Sequence, residues 1–247
     1  MRHTGCLLDH ASARGNAAIE DLCGASPDVP AEIDRSHLLG DLVNAVRDQG
    51  GTPTCVGWGL ARGLQLVMRA AGDLEAELPS ARHIFRLGNG TFEGTTIGAA
   101  VEAMIDGGFC RESACPWDES LVYDALFWDE VQSGFDQRAV LAHRLLDLDR
   151  VSAVKRALSS GAGVVFGCDV DQSFEDYAGG IWTGLQGARE GGHCMAALDY
   201  TPEALRLVNS WGPAWGESGL GRISWDFVCS ERMRSIWIVD VAPRYSA

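Results

Sequence analysis

The spacing of apolar residues changes near residue 148, and this change restricts the folds open to the chain. Before it, the recognisable segments repeat apolar residues every three or four positions, which is typical of helices. After one further helix that Asp149 can cap, short β-rich runs follow one another, separated by glycines. Helices first and strands afterwards favour an α+β fold with a cleft between two lobes. The predicted helices are 54–71, 79–86, 95–106 and 151–158, and the predicted strands are 164–170, 192–200, 205–211, 222–225 and 235–241.

Charge and hydropathy narrow the range of partners. The 247 residues include 34 acidic and 20 basic ones, a net charge of −14, so the phosphates of a nucleic acid would be repelled. No stretch approaches the roughly 18 uninterrupted apolar residues of a membrane span, and we expect no membrane contact. Residues 1–22 lack the apolar run of a secretory signal, so we expect a cytoplasmic protein or one exported without that signal. Sequence does not indicate the oligomeric state.

The eight cysteines contain no C-x-x-C pair, so neither a zinc ribbon nor a thioredoxin-type redox site is predicted. Cys110 and Cys115 form a C-x4-C whose further ligands cannot be named, and a tetrahedral site needs four ligands. We therefore expect no metal and, in a reducing compartment, free thiols. The cysteines are at positions 6, 23, 55, 110, 115, 168, 194 and 229.

Cys55 is the strongest candidate nucleophile. It lies at the predicted start of the first long helix, where unpaired N–H groups and the helix dipole favour an anion. Such a position lowers a thiol pKa and makes a thiolate available near neutral pH. A lone cysteine is more often a buried apolar residue, so its companions decide the interpretation.

His193 and Asn209 are those companions. Each lies at the end of a predicted strand, and neighbouring antiparallel strands would bring the two side chains together. The asparagine oxygen can then orient the imidazole, which protonates the leaving amine after the thiolate has attacked. Gln49, six residues before Cys55, can supply a side-chain N–H that stabilises the oxyanion together with the Cys55 backbone N–H.

With these residues in place, the chain resembles the papain family of cysteine peptidases. The segment 46–55 keeps the family's Gln-Gly and its Gln-to-Cys spacing. The segment 209–219 reads Asn-Ser-Trp-Gly-x-x-Trp-Gly-Glu-x-Gly, which matches the family's run almost letter for letter. Segments 174–181 and 112–117 are similar to further family patterns, so the resemblance covers about residues 46–241. His193 and Asn209 lie 138 and 154 residues after Cys55, close to the family's spacing.

The resemblance implies a papain-like two-lobed fold, with an N-terminal helical lobe, a C-terminal antiparallel β lobe and the active site in the cleft between them. We expect an N-terminal extension over 1–45, the helical lobe with the nucleophile over 46–147, and the β-rich lobe over 148–247. It also implies hydrolysis of peptide or protein substrates through a Cys–His pair and an acyl-enzyme, without a cofactor. We expect a bacterial-type member of the family without a long prodomain. We also expect residues 1–26 either to pack on the surface or to cover part of the cleft.

The chain departs from the family around the nucleophile and at its disulfides. The family's Cys-Gly-Ser-Cys-Trp is replaced by Thr-Pro-Thr-Cys-Val over 52–56, and positions of its half-cystines align with Thr52, Thr91 and Gln186. Loss of both ends of a bridge fits a reducing compartment. The altered surroundings of Cys55 keep two alternatives open: the same residues acting as a deamidase, isopeptidase or transamidase effector or toxin, and an inactive binding protein.

Five further residues align with the family's substrate-binding positions. Gly94 matches the glycine whose backbone pairs with a bound peptide. Thr95 and Thr96 match one wall of the pocket for the residue second from the scissile bond, although helix capping would also explain them. Gly192 leaves that pocket open, which favours a small or apolar substrate residue. Trp211 is expected to shield the contact between the histidine and the asparagine from water.

Overall fold

The computed structural model describes residues 4–10, 13, 15–24, 29–40, 46–124, 134–136, 138–146 and 149–243. The helices are α1 (Ile19–Cys23), α2 (Cys55–Ala70), α3 (Ala81–Leu87), α4 (Ile97–Gly107), α5 (Arg150–Ser160), α6 (Gln172–Glu175) and α7 (Trp225–Cys229), with 3₁₀ turns at Ser36–Leu38 and Glu119–Leu121. The strands are β1 (Cys6–Leu7), β2 (Thr95–Thr96), β3 (Arg138–Arg144), β4 (Gly163–Val170), β5 (Gly191–Tyr200), β6 (Ala204–Val208), β7 (Leu220–Ser224) and β8 (Met233–Pro243).

Six strands form one antiparallel sheet in the order β3-β8-β4-β5-β6-β7, and β1 pairs with β2 in a separate parallel ribbon. The sheet divides two apolar clusters. One contains Leu64 of α2 and Trp237 of β8, and the other contains Phe166 of β4 and Trp211. No helix among the described residues is both long enough and apolar enough to cross a membrane.

The long helix α2 lies directly against the sheet because glycines permit a close approach. A Cβ atom added to Gly59 would lie 2.7 Å from Sγ of Cys194 on β5, and one added to Gly63 would lie 2.5 Å from a methyl group of Val165 on β4. Neither distance is compatible with a side chain, so only glycine fits at this depth. The first turn of α2 is thereby held beside the start of β5.

One strand of the sheet, β3, lies before residue 148, in the part of the chain where the sequence predicts no strand. Strand β3 pairs with β8 along its whole length, with Val140 opposite Val241. Its burial pattern does not alternate strictly, and three of its seven residues are arginine or histidine. Side-chain periodicity therefore gives a weak strand signal there, and the pairing is decided by the long-range partner.

Serine caps shift two of the predicted boundaries. The helix predicted from Pro79 begins at Ala81, because Oγ of Ser80 accepts a hydrogen bond from the His83 backbone N–H at 3.1 Å. The strand predicted over 222–225 ends at Ser224, whose Oγ caps α7. In both places a side-chain oxygen satisfies a helical N–H that would otherwise lack a partner.

Candidate active site

Cys55 is the first residue of α2, as predicted, and it is completely buried. Its sulfur accepts a hydrogen bond from the backbone N–H of Cys194, the residue that follows His193 on β5. Cys55 therefore lies against the strand that carries His193. Helix α2 and strand β5, which are distant in sequence, are brought together by the packing at Gly59.

The imidazole of His193 is held by Asn209, as predicted. Nε2 of His193 lies 2.7 Å from Oδ1 of Asn209, and the backbone N–H of Ser210 donates to the same oxygen at 2.7 Å. Because Ser210 donates, that atom is the amide oxygen, and the histidine nitrogen must donate to it. The contact depends on the antiparallel pairing of β5 with β6, in which Ala196 lies opposite Val208.

Trp211 covers this contact. Its ring stacks on the imidazole with centroids 4.3 Å apart and planes 28° apart, and its own exposure is 1 %. A stacked indole excludes water from the hydrogen bond beneath it, which strengthens the bond electrostatically. The geometry matches the shielding position expected for Trp211.

The side chain of Gln49 is completely buried and is fixed by two loops. Its Nε2 donates to the Thr52 carbonyl at 2.7 Å, and its Oε1 accepts from Oγ of Ser210 at 2.7 Å. Ser210 thus connects Gln49 to the asparagine that orients the histidine.

Within the described residues, no group of three histidine, cysteine, aspartate or glutamate side chains is arranged to hold a metal ion. The described cysteines form no disulfide, and Cys229 is the exposed one among them. The side chains brought together at this site include a thiol, an imidazole and two amides.

Comparison with known proteins decides the family. A family model described as "Papain family cysteine protease" matches residues 29–236. The chain belongs to this family. The predicted resemblance and the papain-like α+β fold are thereby confirmed.

Similar curated proteins share only part of their length with this papain-family chain. It is 32 % identical over 99 residues to an uncharacterized peptidase C1-like protein of Acanthamoeba polyphaga mimivirus, covering 37 % of this chain and 32 % of that protein. It is 42 % identical over 52 residues to papain of Carica papaya, covering 21 % of this chain and 15 % of papain. The chain therefore aligns with a third or less of these relatives.

Solved structures of the same fold cover almost the whole chain. Xylellain, a cysteine protease from Xylella fastidiosa, has a TM-score of 0.76 at 18 % identity and covers 97 % of this chain and 96 % of that one. The proCathepsin B S9 of Trypanosoma congolense has a TM-score of 0.77 at 15 % identity and covers 98 % of this chain and 87 % of that one. At these identities the similarity establishes the fold.

The N-terminal segment Thr4–Asp9, here called the strap, lies in the papain-family cleft. The backbone N–H of Gly5 donates to the sulfur of Cys55. The Gly5 carbonyl accepts from the Thr95 backbone N–H at 3.0 Å, and a Cβ on Gly94 would lie 1.9 Å from that carbonyl oxygen. The strap thus lies against Gly94, whose backbone was predicted to pair with a bound peptide, but it pairs with the N–H of Thr95. The N–H and carbonyl of Gly94 pair with Thr91. Of the expected covering segment, residues 1–3, 11, 12, 14, 25 and 26 lie outside the described part of the chain.

The remaining predicted binding residues also contact or adjoin the strap. Thr96 lies opposite Leu7 in the β1–β2 ribbon, and its hydroxyl caps α4 by accepting from the Ala99 N–H at 2.9 Å. A Cβ on Gly192 would lie 2.1 Å from the Cys6 carbonyl oxygen. The capping interpretation of Thr96 is therefore correct, and Gly192 leaves the room that the strap occupies.

Asp9 anchors the strap, and sequence reasoning missed it. Its buried carboxylate accepts from the Gly98 backbone N–H at the start of α4 at 2.7 Å and from Nε1 of Trp237 at 2.7 Å. The hydroxyl of Ser235 donates to it as well, and Nε of Arg144 lies 3.7 Å away. These partners are spread along the sequence, so no local pattern marks Asp9.

Burial by the strap reverses the expected acidity of the nucleophile. Complete burial, with a smaller contribution from the neighbouring Cys6 thiol, raises the pKa of Cys55 to about 12. The prediction that the helix start lowers this pKa is wrong for this conformation. Desolvation of the thiolate outweighs the stabilisation that the helix dipole and the backbone N–H groups provide.

Proposed function

We propose that this chain is a cysteine peptidase that hydrolyses peptide bonds through Cys55 and His193. The observation that carries the proposal is the histidine, held at the end of β5 by Asn209 while the next N–H along that strand contacts the Cys55 sulfur. These are the positions that a nucleophile, a proton carrier and an orienting amide require.

The reaction proceeds in two stages. The Cys55 sulfur attacks the substrate carbonyl carbon, and the His193 imidazolium gives its proton to the leaving amine, which produces a thioester. His193 then takes a proton from water, the hydroxide attacks the thioester, and the acid product leaves. Asn209 keeps the ring oriented in both stages, because its oxygen holds Nε2 and leaves the opposite nitrogen on the other side of the ring.

Gln49 supplies part of the oxyanion site in this proposal. Its amide is immobilised by Thr52 and Ser210, so it costs little further ordering when negative charge develops on the carbonyl oxygen. The Cys55 backbone N–H at the start of α2 supplies the second donor, as unpaired N–H groups at helix starts commonly do.

The strap makes this conformation latent. It occupies the backbone edge at Gly94 and Thr95, and it excludes water from Cys55. A peptide can reach the sulfur only after the strap has left. Activity is therefore governed by the equilibrium between a docked and an undocked strap.

The docked strap also suggests the substrate preference. Cys6 inserts where a Cβ on Gly167 would lie 2.5 Å from its sulfur and 3.4 Å from Ile97. The space holds a small, weakly polar side chain. We therefore expect substrates with a small or apolar residue in this pocket, in agreement with the preference suggested by Gly192.

A peptide library tests the proposal. We expect the full chain to cleave internally quenched peptides, Cys55→Ser to abolish cleavage, and Cys229→Ser, which changes an exposed cysteine, to leave it unchanged. Intact peptides with released ammonia would instead assign the deamidase or transamidase alternative. A haloacetamide that labels Cys55 no faster than Cys110 or Cys168, even when the strap is loosened, would support an inactive binding protein.

A further inference from the structure

Three cysteines meet where the strap crosses the sheet. Cys6 of the strap, Cys55 of α2 and Cys194 of β5 belong to one buried cluster, here called the thiol cluster. The proposed peptidase reaction uses only Cys55. The other two are adjacent thiols whose contact the proposed peptidase reaction does not require.

Cys6 and Cys194 are direct neighbours. In the register of β4 with β5, Gly167 lies opposite Cys194, and a Cβ on Gly167 would be 2.5 Å from the Cys6 sulfur. The Cys6 sulfur therefore lies over this strand pair at the position of Cys194. Burial, and after it the neighbouring Cys6 thiol, raises the pKa of Cys194.

The surroundings hold both sulfurs in place. Helix α2 closes one side of Cys194, since a Cβ on Gly59 would lie 2.7 Å from its sulfur. The Cys6 backbone approaches β5 so closely that only a glycine fits at position 192. A disulfide requires such a close backbone approach, because bridged Cα atoms are usually less than about 7 Å apart.

Cys6 is also the member of the cluster that small solutes can reach. It lines an open pocket of about 410 Å3 beside the strap, together with Arg189 and Gly192. Its exposure is 9 %, against 1 % for Cys194 and 0 % for Cys55. A small oxidant entering from solvent therefore meets Cys6 first.

We propose that Cys6 and Cys194 form an oxidation site, at which a peroxide links the strap to β5 through a reversible disulfide. The Cys6 sulfur attacks one peroxide oxygen, so that the O–O bond breaks and an S–O bond forms. The departing oxygen takes the Cys6 proton and leaves as an alcohol or water. The Cys194 sulfur then attacks the sulfenic sulfur, so that the S–S bond forms, the S–O bond breaks and the departing hydroxide takes the Cys194 proton as water. Two thiols are thus oxidised by two electrons in total, and a dithiol reverses the process.

The disulfide fixes the strap over Cys55 while leaving the Cys55 thiol chemically intact. This consequence rests on the proposed peptidase function, whereas the disulfide itself does not. Oxidation would then produce a latent enzyme whose nucleophile is protected from the same oxidant and which recovers on reduction.

The test uses the full chain, hydrogen peroxide and peptide mapping without reduction. After limited oxidation, removal of peroxide, denaturation and alkylation, trypsin should yield peptide 3–14 joined to peptide 190–206, with peptide 48–62 carrying an alkylated Cys55. We expect peptidase turnover to fall by roughly 30-fold or more, which corresponds to the lower end of the stabilisation that a disulfide gives. Dithiothreitol should restore the turnover.

Variants separate the possible results. Cys6→Ser should give no linked peptide. Without the disulfide, peroxide should react with Cys55 directly, so that the variant loses turnover and dithiothreitol does not restore it. Cys229→Ser, a change at an exposed cysteine, should behave like the wild-type chain.

Recovery of Cys6 as an alkylated thiol, or its linkage to peptide 48–62 instead of 190–206, would overturn the assignment. If the 3–14 to 190–206 linkage forms but neither the oxidised nor the reduced chain cleaves peptides, the oxidation site stands and the peptidase proposal fails. If the reduced chain cleaves peptides and no linkage forms, the opposite holds.

Discussion

Replacing the strap anchor, Asp9→Asn, should raise the turnover of the proposed peptidase. The asparagine oxygen can still accept from the Gly98 N–H at the start of α4. Its NH₂ group, however, would face Nε1 of Trp237, which can only donate a hydrogen bond. The attraction to Arg144, whose Nε lies 3.7 Å away, is lost as well. The docked strap is thereby weakened while the catalytic residues are unchanged.

The size of the effect follows from the contacts. A hydrogen bond to a charged group contributes about 1.5–3 kcal/mol. Ser235 can rotate its hydroxyl to accept from the new NH₂ group, so the net loss is confined mainly to Trp237 and Arg144. A loss of about 2–3 kcal/mol shifts the docking equilibrium roughly 30- to 150-fold towards the undocked strap. Turnover should rise by that factor until the strap is mostly undocked.

Two measurements follow the strap independently of each other. Hydrolysis of a quenched peptide reports productive opening, and the rate of Cys55 alkylation, read from peptide 48–62, reports access to the sulfur. Leu8→Ala is the matched control, because this strap side chain is 64 % exposed and takes no part in the anchor. Unchanged turnover and alkylation in an Asp9→Asn protein that melts like the wild type would refute the role of the anchor.

Three further results are expected. Asn209→Ala should lower kcat roughly 10- to 150-fold with little change in KM, because it removes a hydrogen bond to the imidazolium that contributes about 1.5–3 kcal/mol. An equal loss of kcat in Asn209→Asp would argue against orientation by the side-chain oxygen. Alkylation of Cys55 should accelerate as pH rises, because burial raises its pKa from 9.0 to about 12. The stabilisation of the docked strap is therefore complete below pH 9 and is lost towards pH 12. An alkylation rate that does not change over that pH range would contradict this. Leu64→Ala, which truncates a fully buried side chain of α2, should cost about 2–5 kcal/mol of unfolding free energy in denaturant titration. A cost below about 1 kcal/mol would contradict the packing of this side chain.

Much of the candidate site was predictable because its signals are local. A helix start at Cys55 follows from apolar spacing, and the strands of His193 and Asn209 follow from β-rich runs bounded by glycines. Adjacent antiparallel pairing of two consecutive strands then places their ends together. Each step needs only residues close in sequence, so the histidine–asparagine contact could be predicted before any tertiary information.

Other features depend on distant residues and were missed or reversed. Strand β3 is fixed by its pairing with β8, about a hundred residues further along the chain. The acidity of Cys55 depends on which segment covers it, and that segment begins some fifty residues earlier. The division of the chain into an extension over 1–45 and lobes over 46–147 and 148–247 remains a prediction.

The sequence by itself determined the chemical identities at the site: a thiol at a helix start, an imidazole and amide at strand ends, and glycines where backbone must approach backbone. These follow from periodicity, capping and motif spacing, which act over a few residues. Only the tertiary structure decided that the strap lies over Cys55, that Asp9 holds it there and that Cys6 lies against Cys194. Burial and close contact between remote segments are properties of the packed chain, because desolvation and side-chain neighbours exist only after the segments have come together.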